Sequence, residues 1–157
     1  MLFVSALLFA AAAEPAPLPR ALEVWAAASG FKLAPATECS TGEELHFGAA
    51  GSTCQAAKST KPVKGSTDLF PRLRIIVSRY ASEAAARERM KRFRETPGGA
   101  RGELEKTWPL RGGFRLGDRV VLVTTDAFAF EGDVRVAAAA LAKASGGTDL
   151  TCWAGAC

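Results

Sequence analysis

Between Cys39 and Cys54 the chain places Glu43, Glu44 and His46, its only histidine, almost side by side. A carboxylate next to an imidazole is the usual pairing for general acid–base work. A pocket in which His46 met Glu43 or Glu44 and a nucleophile would form a small hydrolase-type site. The alternative for the same residues is a solvated polar loop. Nothing else in the chain supports catalysis, since it contains no G-x-S-x-G, H-E-x-x-H, P-loop or dinucleotide fingerprint. The predicted role is therefore non-catalytic, with no cofactor. A metal held by His46 and thiolates would need zinc-type spacing, and C-x14-C and C-x4-C do not supply it. Asp126, Glu131 and Asp133 in DAFAFEGD lack the periodicity of a calcium loop. No metal is expected, and Asp133 reads as a helix cap.

The second group able to do chemistry is cationic. Arg87, Lys91 and Arg94 recur at i, i+4, i+7, with Arg89 and Arg92 flanking them. A row of that kind can dock phosphate, sulfated sugars or another anionic polymer. Against this, Glu83 stands four residues before Arg87 and Glu88 four before Arg92, the favourable order for ion pairs on a solvated helix face. No aromatic side chains interleave with the row to stack bases, so no nucleic acid is expected. Phe128 and Phe130 form a third group. Exposed, they would anchor a protein partner; folded inward, they would cap the end of a sheet. Trp153 raises the same question beside Cys152.

Cysteine usage and the N-terminus bear on compartment. The four cysteines, Cys39, Cys54, Cys152 and Cys157, form an even set, as in disulfide-bonded exported domains. Three pairings are open, of which Cys39–Cys54 with Cys152–Cys157 is the simplest. LFVSALLFAAAA is an apolar segment ending in small residues, so residues 1–13 read as a signal peptide cleaved before Glu14, although no basic residue precedes it. At about a dozen residues it is shorter than the roughly 20 that span a bilayer. The predicted location is exported, periplasmic or extracellular, without a transmembrane span. The formal charge is +4. Nine basic and three acidic residues between Arg72 and Arg101 give that stretch a surplus of six, so the remainder is net acidic. Such asymmetry concerns partners rather than fold.

The elements that must position these groups follow from periodicity. Leu18, Leu22 and Trp25 have helical spacing, with a stop at Ser29-Gly30. Residues 34–67, rich in Gly, Ser, Thr and Pro, read as irregular, with a disulfide across the middle. Residues 72–80 form a strand, and Ser82 caps a helix over 83–95 that buries Ala86, Met90 and Phe93. ELEKTW (103–108) alternates as a strand, PLRGGFRLGD reads as a turn, and RVVLVTT (119–125) is an apolar strand. Asp133 then caps a helix over 134–145, and 148–153 is a last strand. The divisions are 1–13, signal; 14–67, N-terminal helix and irregular cysteine segment; 68–157, α+β domain.

The β-α-β-β-α-β order of the last part resembles the ferredoxin-like sandwich, a four-stranded antiparallel sheet with two helices on one face. SPOR peptidoglycan-binding domains share that order, a likeness of architecture that assigns no residue here. Because both faces of 119–125 are apolar, the second face needs cover, from the N-terminal helix or from a second copy in a homodimer. The function predicted from sequence is a non-catalytic binding module at the cell envelope with a protein or anionic-polymer partner. A self-associating structural subunit is the main alternative, and a hydrolase using His46 a further one.

Overall fold

In the computed structural model, which describes residues 14–95, 110–152 and 157, the chain is α+β. Helix α1 (Leu18–Ser29) ends at Gly30, whose φ of 74° supplies the left-handed C-cap anticipated for Ser29-Gly30. Strands β1 (Phe31–Leu33) and β2 (Thr37–Cys39), helix α2 (Gly42–Phe47) and strand β3 (Gly51–Ser59) come next. Then follow β4 (Arg72–Arg79), α3 (Glu83–Glu95), β5 (Leu110–Leu116), β6 (Arg119–Thr125), α4 (Glu131–Ser145) and β7 (Thr148–Cys152). Disulfides join Cys39 to Cys54 and Cys152 to Cys157, the simplest of the three pairings. Among the described residues no helix is long and apolar enough to cross a membrane.

The seven strands form one antiparallel sheet in the order β1-β3-β4-β6-β5-β7, with β2 also paired to β3. This differs from the ferredoxin-like expectation in three ways. First, residues 34–67 are irregular only in part, chiefly from residue 60 onward. They contribute β2, α2 and the nine-residue β3, which pairs with β4 along its whole length. Its sequence, GSTCQAAKS, buries Ser52 and Cys54 on one face and Ala57 and Ser59 on the other, so the strand signal is carried by small side chains. Second, RGGF is strand and not turn: β5 begins at Leu110, and the turn into β6 is only Gly117-Asp118, with Gly117 at φ 58°. The strand read at 103–108 lies outside the described residues, as do residues 1–13 and Trp153.

Third, the two main helices lie on opposite faces. β4 and β5 run the same way with β6 between them and are joined through α3; β6 and β7 run the same way with β5 between them and are joined through α4. Both connections step in the same direction across the sheet but leave strands of opposite direction. Two crossovers of one hand must then lie on opposite faces. The packing agrees. Ala86, Met90 and Phe93 of α3 pack with Ile76, Val120 and Leu122. Val134, Ala137, Ala138 and Leu141 of α4 pack with Phe114, Val121 and Val123, and α1 joins that same face through Leu22 and Trp25. Both faces of β6 are thus covered within the chain. The N-terminal helix lies beside α4, and α3 covers the other face.

Glycines make this sandwich thin at β5. A Cβ on Gly112 would stand 2.9 Å from the Ala138 Cβ on the α4 side. One on Gly113 would stand 2.6 Å from Leu122 Cδ2 and 3.0 Å from the Val121 carbonyl oxygen on the α3 side. Two more expectations are settled locally. Ser82 accepts the Ala85 N–H at 3.1 Å, as an N-cap should. Asp133 is not the cap of α4; a 3-10 turn (Phe128–Phe130) runs straight into the helix, and Asp133 sits in its first turn.

Gly113→Ala is expected to destabilise the protein by about 1–3 kcal/mol, since the methyl group overpacks a site closed on one side by backbone. Chemical denaturation showing an unchanged midpoint would contradict the close approach of α3 and β6 to this strand.

Candidate functional site

Paired strand positions share a face, so the register puts Ala56, Arg74, Thr124 and Arg111 in one row across β3, β4, β6 and β5. The neighbouring row on this face is Cys54, Ile76, Leu122 and Gly113. Helix α3 covers that second row through Phe93 and Met90. Over the arginine row lies a cavity of about 540 Å³. Its wall is the Ser40–Glu43 segment, its inner end carries Ile76 and Leu122, and Arg72 and Asp126 also line it.

The inner wall is a buried polar cluster. Glu43, 1% exposed, accepts two parallel hydrogen bonds from Arg89, from Nε at 2.8 Å and Nη2 at 2.9 Å. It also accepts the Tyr80 hydroxyl at 2.6 Å, and Arg111 Nη1 lies 3.8 Å from its second oxygen. Burial, reinforced by the Glu43 charge, pushes the Tyr80 phenol well above its ordinary range, so it remains a neutral donor. Burial and the neighbouring Arg89 charge lower the Arg111 guanidinium to about 10, which leaves it cationic at neutral pH. Aromatic rings clamp both arginines: the Arg89 guanidinium stands 3.8 Å from the Phe47 ring centre, and that of Arg111 5.2 Å from Phe93.

The outer arginines differ from the inner ones. Arg72 and Arg74 are exposed and make no ion pair among the described residues; Arg74 Nη2 approaches Cys54 Sγ at 2.8 Å. The disulfide loop that carries Glu43 is thus tied to the cavity floor at Cys54 and to α3 at Arg89.

The residues singled out from sequence are distributed elsewhere. Glu43 is spent on Arg89 and Tyr80. Glu44 closes a capping box, accepting the Thr41 N–H at 2.8 Å. His46 is exposed at the end of α2, its ring edge-on to Phe47. The structure therefore does not join these three into an acid–base site. On α3, Arg87 pairs with Glu83 at 3.2 Å and Arg94 with Asp149 at 3.5 Å, while Lys91 makes no ion pair among the described residues. Phe130 is fully buried in the α4-side core and is not an exposed anchor; the Phe128 side chain lies outside the described residues. Among the described residues no cluster of three His, Cys, Asp or Glu could hold a metal ion.

Sequence reasoning treated Arg89 as a flank of the surface row and missed Arg72, Arg74 and Arg111 as a group. One signal was available. Arg89 occupies the Ala86–Met90–Phe93 stripe, where a charge requires a buried partner. The convergence of Arg74 with Arg111 depends on β5, whose glycine pair carries the signature of a turn. Set against known protein families, curated proteins and solved structures, the chain matches none.

A second network fixes α3 on the same face. Arg115 donates to Asp149 at 2.8 Å and to Glu83 at 2.7 Å, and its hydrogen bonds hold both carboxyls below their usual range. Carboxyls depressed in the folded state stabilise it above their unfolded values of about 4, and that contribution fades as pH falls through the folded values. The stability gap between the parent and Arg115→Met should therefore be widest above about pH 5 and narrow towards about pH 2. A gap that stays constant across that range in urea titrations would contradict the assignment.

Proposed function

We propose that the protein is an exported, non-catalytic binding module of the cell envelope that takes an anionic partner in the arginine-lined cavity. The carrying observation is the pair Arg72 and Arg74, two cations at a cavity mouth with no carboxylate partner among the described residues, beside the buried cation Arg111. Guanidinium groups that stay unpaired where a cavity opens are available to carboxylate, phosphate or sulfate. The two disulfides fit an oxidising compartment and so support export. This reading moves the anionic contact from the solvent face of α3, where Arg87 and Arg94 already have partners, to the cavity. Self-association through a sheet face loses its motive, because helices cover the central strands on both sides.

The test is retention of the oxidised protein on purified cell-wall material across a salt series. Retention should fall steeply with salt and drop much further in Arg72→Ala/Arg74→Ala than in Arg87→Ala/Lys91→Ala, which removes equal charge from the helix. Failure to bind at low salt, or equal losses in the two variants, would sink the cavity reading.

A further inference from the structure

Resting on that reading, we infer that the group the cavity recognises is a phosphoryl group carried on an organic molecule, a phosphate monoester, gripped by Arg72, Arg74 and Arg111. Within the protein a carboxylate takes its hydrogen bonds from one fork: Glu43 accepts both from Arg89 with the Tyr80 phenol added, and the Arg111 guanidinium stands 3.8 Å from it, an ion pair beyond hydrogen-bond reach. The cavity offers three guanidinium groups from two strands, two from β4 and one from β5. Donors arriving from several directions suit a tetrahedral group with three terminal oxygens and nearly two negative charges at pH 7, better than one planar carboxylate.

Two of the three cations are held in place before any ligand arrives. Arg111 is 3% exposed and packed on Phe93, and Arg74 leans on Cys54 Sγ. Donors fixed in advance lose little freedom on binding. At about 540 Å³ the cavity falls within the range of small-molecule sites and exceeds the needs of inorganic phosphate alone. Its inner end carries Ile76 and Leu122, an apolar seat for the organic part. Two carboxylates also line the cavity: Glu43, whose charge is met by Arg89 and Arg111, and Asp126, exposed at the rim, which repels an anion from that side.

The probes are phenyl phosphate and benzoate, titrated calorimetrically into the oxidised protein at low salt. Phenyl phosphate should bind at least about 10-fold more tightly than benzoate, the smallest difference expected from one added charged hydrogen bond. Arg74→Ala and, separately, Arg72→Ala, both altering exposed side chains, should each weaken phenyl phosphate by about 10-fold or more. Arg87→Ala should leave it unchanged. Benzoate binding as tightly as phenyl phosphate would overturn the phosphoryl assignment and leave the anion-binding reading standing. Phenyl phosphate binding that both cavity variants retain would overturn the site. Binding of neither anion would overturn the inference, and wall retention still dependent on Arg72 and Arg74 would then preserve the broader reading.

Discussion

A single carboxylate, Glu43, with almost no contact with water, anchors the Cys39–Cys54 loop to helix α3. It stands on α2, a helix of six residues that has too few backbone hydrogen bonds to persist alone. Its partners lie far away in sequence: Arg89 on α3 and Tyr80 just past the end of β4. A buried ion pair of this kind contributes little net stability compared with an apolar contact of equal volume, but losing one partner costs about 3–5 kcal/mol. The pair therefore specifies where the loop must sit more than it adds to the total. The Cys39–Cys54 bridge limits the loop from the other side, closing about 15 residues at a value of roughly 3 kcal/mol in the chain-entropy account. Pinned at both ends, Ser40–Glu43 becomes a fixed wall and not a tether.

The sheet does the complementary work of presenting the cations. Because α3 and α4 lie on opposite faces, the centre of the sheet is closed on both sides, and β6 can be apolar in both parities. Helix α3 reaches the Arg74–Thr124–Arg111 row only at Arg111, through Phe93, and the Arg74–Thr124 end lies beneath the cavity. Gly112 and Gly113 let β5 lie close between the helices, and Arg111, the residue before them, reaches the cavity's inner wall. One strand thus serves packing and site through adjacent residues.

The legible parts of this fold are those whose side chains are large and periodic. The Ile75–Ile76–Val77 strand, the Ala86–Met90–Phe93 stripe and the apolar 119–125 strand all form as their patterns require. The illegible parts depend on small residues and distant partners. Strand β3 buries serine, cysteine and alanine, small side chains that carry no strong strand pattern until a neighbouring strand is in place. In β5 a glycine pair that ordinarily marks a turn instead answers to close approach from both sides. The site suffered the same way: Arg72 and Arg74 were in plain view on a recognised strand, but their grouping with Arg111 is a property of sheet order. Arg89 alone carried a local warning, a charge inside an apolar stripe.

The central claim is that the Glu43–Arg89 pair docks the disulfide loop on α3. A double-mutant cycle on folding stability, with Glu43→Leu, Arg89→Met and both together, tests it most directly. Each single change should cost about 3–5 kcal/mol by stranding a buried charge, and the double change should cost much less than the two combined, a coupling of about 2–3 kcal/mol or more. Additivity to within about 0.5 kcal/mol would show that the two side chains do not act as a buried pair, and the account of how the cavity wall is held would be wrong.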